Sequence, residues 1–144
     1  MGGGVDELAL EGEGVIGGLA LCAGYGGLEE GLRLAGLPVR TVVNVEIEAY
    51  AAANLVALME SGRMDPAPIW DDLRTFRARE WAEFVSVLSA GFPGQPWSQA
   101  GKREGLNDDR WIWQDIERII SDVRPDLVWL ENVGGLASGL GSES

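Results

Sequence analysis

Three clusters in this 144-residue sequence combine residue types that can do chemistry. The first is Cys22-Ala23-Gly24-Tyr25-Gly26-Gly27, a glycine-rich turn between an apolar run and a helical one, which lets a backbone approach a nucleotide-like ligand. The spacing is not G-x-G-x-x-G, because the third place falls on Glu29. A pyrophosphate-binding dinucleotide site is therefore disfavoured, and a ligand without a pyrophosphate, such as S-adenosylmethionine, suits the turn. Glu46 follows at the end of a second apolar run, where a carboxylate can accept hydrogen bonds from ribose hydroxyls. The second cluster, Asp71-Asp72-Leu73, offers a carboxylate to an adenine amino group and an apolar side chain to the ring; the same acidic pair also suits the cap of a short helix. The third joins the loop Gly91 to Arg103 with the pair Glu131-Asn132.

Composition narrows the chemistry further. With no histidine and one cysteine, Cys22, the usual zinc sites, a disulfide framework and every Ser/His or Cys/His pair are excluded, and no metal is expected. The single thiol reads as a small buried hydrophobe. A formal net charge of -12 argues against a strong grip on a phosphate backbone. No run of 18 apolar residues and no basic-then-apolar leader is visible, so the chain reads as soluble and cytoplasmic, of a prokaryotic or phage type.

The elements that must position these clusters alternate. Val15 to Cys22 reads as a strand, Leu28 to Ala35 as a helix stopped by Gly36 and Pro38, and Val39 to Glu46 as a second strand. Glu48 to Glu60 reads as a helix, Pro68 to Trp70 and Phe84 to Ala90 as strands, Asp109 to Asp122 as a helix and Leu127 to Leu130 as a fifth strand. Such alternation implies a Rossmann-like, doubly wound, mostly parallel α/β sheet with ligands beyond the carboxyl ends of its strands. Residues 1–18, with seven glycines, read as a flexible acidic lead-in, 19–137 as the domain and 138–144 as a flexible tail. The sheet reads as cut short after about the fifth strand, which would leave an open edge.

The loop Pro93-Gly94-Gln95-Pro96-Trp97-Ser98 resembles the catalytic loop of C5-cytosine-specific DNA methyltransferases, whose signature is Pro-Cys-Gln-Pro followed by an aromatic residue and serine. Leu21 to Leu32 resembles that family's cofactor loop, and Val45-Glu46-Ile47 its ribose and adenine contacts. Gly105 to Arg110 resembles its Asp-x-Arg segment and Leu130-Glu131-Asn132-Val133 its Glu-Asn-Val block. The blocks run in the family's order over about residues 19 to 137.

The resemblance implies an S-adenosylmethionine-dependent methyltransferase fold, methyl transfer to C5 of a cytosine flipped from DNA, and a restriction-modification setting. It implies S-adenosylmethionine or S-adenosylhomocysteine held by Cys22, Ala23, Gly24, Tyr25, Gly26, Gly27, Glu46, Ile47, Asp72, Leu73 and Pro93. It gives Glu131 the cytosine N3, Asn132 the support of that turn, and Gln95, Ser98, Lys102 and Arg103 the approach to DNA. Two departures follow. Gly94 stands where the family carries its nucleophilic cysteine, so covalent attack on C6 is impossible and no activity is expected. The family's target recognition domain and closing segment do not follow Ser144, so weak DNA binding is expected. Two alternatives stay open: a non-catalytic S-adenosylmethionine-binding or interaction module, such as half of a split methyltransferase completed by a second chain or by self-association, and an S-adenosylmethionine-dependent enzyme of another specificity.

Overall fold

The computed structural model describes residues 14–24, 26–91 and 109–131. In chain order it contains β1 (Ile16–Leu21), α1 (Gly27–Leu34), β2 (Val39–Val45), α2 (Ala49–Glu60), β3 (Ile69–Trp70), a 3-10 turn (Ala78–Trp81), β4 (Val87–Gly91), α3 (Asp109–Val123) and β5 (Leu127–Glu131). All pairings are parallel and the strand order is β3-β2-β1-β4-β5. The order reverses between β1 and β4, the point where ligands enter sheets of this kind.

Both faces of the sheet are covered over β1, β2 and β4, as their short, nearly continuous apolar runs require, whereas β5 is covered on one face. Leu19, Leu21, Val43, Val45, Leu88 and Ala90 pack with Phe76 and with Ile116, Ile119 and Val123 of α3. On the other face Ala20 meets Leu55 of α2, while Val39 and Val87 meet Leu32 of α1. Each fully buried Leu or Ile contributes about 1.5–3 kcal/mol. An exposed ion pair such as Arg33–Glu30 or Arg77–Glu80 contributes ~0–1 kcal/mol, so apolar burial holds the sandwich together.

Three local details differ from the sequence expectation. Strand β1 begins at Ile16, so the last residues of the expected lead-in belong to the sheet. Gly17 explains why a glycine stands there: a Cβ would lie 1.7 Å from the carbonyl oxygen of Phe84. Strand β4 begins at Val87 and not at Phe84, because the Phe84 N–H donates to the Trp81 carbonyl at 2.9 Å and closes the 3-10 turn instead. Finally, the register between β1 and β2 slips after Gly18: Gly18 pairs with Thr41 but Leu19 pairs with Val43, leaving Val42 as a bulge.

Candidate functional site

Parallel register brings the chemistry-bearing residues to one rim. Leu21 pairs with Val45 on one side and Ala90 on the other, Val45 pairs with Trp70, and Gly91 pairs with Glu131. The five strands therefore end together, and the segments after them share that edge. Strands about 4.8 Å apart put roughly 14 Å between the β2 end, with Glu46, and the β5 end, with Glu131.

The turn after β1 is built from left-handed backbone: φ is 50° at Cys22, 54° at Gly24 and 74° at Gly26. Ala23 N–H donates to the Val45 carbonyl at 3.2 Å and Gly26 N–H to the Ala23 carbonyl at 2.8 Å. Gly26 caps α1 without a side chain, so the backbone at that helix start stays approachable. Its glycine is needed for the positive φ and because a Cβ would press the Met64 side chain at 3.0 Å.

Glu46 ties this turn to β2. One carboxylate oxygen accepts the Gly24 N–H at 2.8 Å and the other accepts the Glu48 N–H at 3.1 Å. The residue is 7% exposed, yet each oxygen keeps a lone pair for a further donor. Beside it Ile47 is 68% exposed, presenting an apolar surface at the rim. Cys22 is partly buried next to Glu46; burial, and then the negative charge of Glu46, pushes its thiol up to about 12. At neutral pH it is a neutral thiol.

After β3 the chain turns tightly. The Asp72 carboxylate accepts the Arg74 backbone N–H at 2.9 Å and pairs with the Arg74 guanidinium at 2.8 Å. The Arg74 hydrogen bond holds the carboxyl below the usual range. Leu73 packs partly buried against the α3-side core. At the other end of the rim, Glu131 is exposed. Tyr25, Pro93, Gly94, Gln95, Ser98, Lys102, Arg103 and Asn132 lie outside the described residues.

Sequence reasoning missed a buried polar set behind the turn. Ser89 O–H donates to the buried Glu29 carboxylate, whose other oxygen has no partner among the described residues, and neither has the Asn44 amide. Ala20 pairs with both Asn44 and Ser89, so the two polar side chains flank a methyl group on one face. A glutamate in a helix's first turn gives no signal that it points inward. No group of three or more His, Cys, Asp or Glu among the described residues is arranged to hold a metal ion.

The rim, the glycine turn and the strand order agree with one comparison over most of the chain: residues 17–140 match the C-5 cytosine-specific DNA methylase family. The chain belongs to that family. Among curated relatives, the type II methyltransferase M.NgoMIV of Neisseria gonorrhoeae is 33% identical over 118 residues, covering 82% of this chain and 36% of the relative. M.PspPI of a Psychrobacter species is 34% identical over 140 residues, covering 96% of this chain and 32% of the relative. The chain thus spans about a third of the length of the curated relatives it matches. Among solved structures, S. pombe Dnmt2 methyltransferase superposes with a TM-score of 0.63 at 24% identity, covering 85% of this chain and 38% of the other. The Spodoptera frugiperda DNMT2 structure gives the same TM-score at 20% identity, covering 37% of that chain. These two likenesses concern the fold. Among the described residues no helix is long and apolar enough to cross a membrane.

Proposed function

We propose that this chain is the cofactor-binding part of a cytosine-5 DNA methyltransferase site, that it binds S-adenosylmethionine or S-adenosylhomocysteine, and that it transfers no methyl group as written. The observation that carries the reading is Glu46: a nearly buried carboxylate with spare acceptor sites, hydrogen-bonded to the glycine turn it faces.

The donor set fits the cofactor. Acceptors at Glu46 suit ribose hydroxyls, and the exposed Ile47 and the half-buried Leu73 suit the two sides of a purine. An acidic rim also suits a cationic sulfonium better than a pyrophosphate. When bound, S-adenosylmethionine supplies an activated methyl group. The chain's own contribution is to orient it: the Cys22–Gly27 turn limits its approach and Glu46 fixes the sugar. At the far end of the rim Glu131 is offered to N3 of a flipped base, where a carboxylic acid favours electron density at C5. Gly94 has no side chain to attack C6, so the ring is never activated.

Calorimetry with S-adenosylhomocysteine tests the binding half: the chain gives a saturable isotherm, and Glu46→Ala weakens it at least tenfold, the scale of losing charged hydrogen bonds. Absence of heat at millimolar ligand overturns it. Tritiated methyl transfer to mixed DNA tests the other half: none from the chain itself, with Gly94→Cys as the comparison. The net charge of -12 supports a weak grip on DNA by this segment. A second reading, an interaction module completed by another chain, is favoured by β5, where Leu127 is 41% and Trp129 37% exposed at the end of the strand order.

A further inference from the structure

Helix α2 is apolar on every side. From Ala49 to Met59 it holds no charged residue, whereas α1 turns Glu30 and Arg33 to water. Its inner face is accounted for: Ala51 and Leu55 are buried, Leu55 against Ala20 of β1. A helix without a polar side is ordinarily covered all round. Among the described residues the outer side of α2 is not. Tyr50 is 78% and Val56 43% exposed, and Ala49, Ala53 and Ala57 lie open with them, a stripe at three- and four-residue spacing.

The two ends of the stripe carry opposite charges that the described chain leaves unpaired. Glu48 caps the helix through its backbone, and its exposed carboxylate has no ion pair among the described residues. At the other end Gly62 is left-handed and the Arg63 N–H donates to the Leu58 carbonyl at 2.9 Å, which holds Arg63 at the helix terminus. Its Nε donates to the Ser61 hydroxyl at 3.2 Å, and its guanidinium has no ion pair among the described residues. Glu60, exposed, closes the stripe at that end.

We propose that the outer face of α2 is a contact between two copies of this chain, packed antiparallel about the level of Leu55. That register sets Ala53 against the partner's Ala57, the Tyr50 hydroxyl where it donates to the partner's Glu60, and Glu48 beside the partner's Arg63. Small side chains let the two axes approach to about 8 Å, and antiparallel helix dipoles attract. Each of these contacts occurs twice, the self-complementarity that a two-fold contact requires. The apolar stripe alone would not choose its occupant; the charges at its ends select a second copy. The contact is small. Twelve residues make a helix about 18 Å long, which buries well under the ~800 Å² per partner of a standard interface. The net charge of -12 also opposes the encounter, so the pair is weak.

Sedimentation equilibrium tests this on the full chain carrying Trp129→Lys, which removes the open aromatic of β5 at the other end of the strand order. That chain forms a dimer as its concentration rises from about 10 micromolar to about 1 millimolar. Ala53→Glu places a carboxylate in the middle of the contact but leaves it in water in the monomer, and weakens the dimer at least tenfold. Should that variant unfold, Val56→Lys takes its place. Glu48→Arg weakens the dimer severalfold, and adding Arg63→Glu restores it, a rescue that damage to the monomer cannot give. A chain that stays monomeric throughout, a dimer indifferent to Ala53→Glu, or charge reversal without rescue overturns the proposal. So does slow alkylation of Ala53→Cys in a monomeric chain, which would put another segment of the same chain over the face.

Discussion

Cys22 shows how one residue's environment decides its chemistry. Its backbone is left-handed, a conformation rarely adopted by residues other than glycine, and its thiol lies within the field of the Glu46 carboxylate. Burial and that charge both disfavour the thiolate, and the thiolate is the nucleophile. The sole cysteine of the sequence is thus kept inert next to the glycine turn. Iodoacetamide consequently leaves the folded chain essentially unmodified at pH 8, and mass spectrometry detects rapid alkylation only as the pH nears 12 or after denaturation. Modification of the native protein at the rate of a free thiol contradicts this environment. The linked stability has a definite sign. The folded value lies above the ordinary 9.0, so the contribution is fully present below pH 9 and is lost as the pH rises toward 12.

At the scale of elements, β1 carries the tightest constraint. Gly17 lies against the Phe84 carbonyl, so Gly17→Ala forces apart β1 and the segment that leads into β4. We expect a loss of several kcal/mol, in the range seen when a packed core is overfilled, read as a lower denaturant midpoint. A wild-type midpoint would show that the two segments separate freely. This contact was illegible in the sequence, where Gly17 and Gly18 continue a run of glycines that looks like a linker. The strands and helices themselves were legible because apolar periodicity changes from one element to the next, and turns such as Gly36-Leu37-Pro38 punctuate them. The 3-10 turn was not, since Arg77-Ala78-Arg79-Glu80 carries no period. Site legibility divides in the same way. Cys22, Ala23, Gly24, Gly26, Gly27, Glu46, Ile47, Asp72, Leu73 and Glu131 lie along one rim, where residues after parallel strands must fall. Glu29 gave no signal, because a charged residue on an amphipathic helix normally faces water.

For the molecule as a whole, β5 is where the described sheet stops, with Leu127 and Trp129 partly open and the Glu131 rim position beside them. Uncovered aromatic and aliphatic side chains along a strand favour association. Multi-angle light scattering behind size exclusion should return a mass above the 15.4 kDa of one chain at tens of micromolar, reduced toward it by Trp129→Lys. A sharp monomer at every concentration argues against the module reading while leaving cofactor binding untouched. The bulge at Val42 has a different kind of consequence. Val42 and Val43 both pack toward the α3 side, so one of these two identical residues is supernumerary to the alternation. A chain shorter by one valine there would pair without a slip and still deliver Glu46 to Gly24, whereas removing a residue between Asn44 and Glu46 would turn the carboxylate away from the glycine turn. Strand β2 thus has a single point at which its length can vary without disturbing the rim.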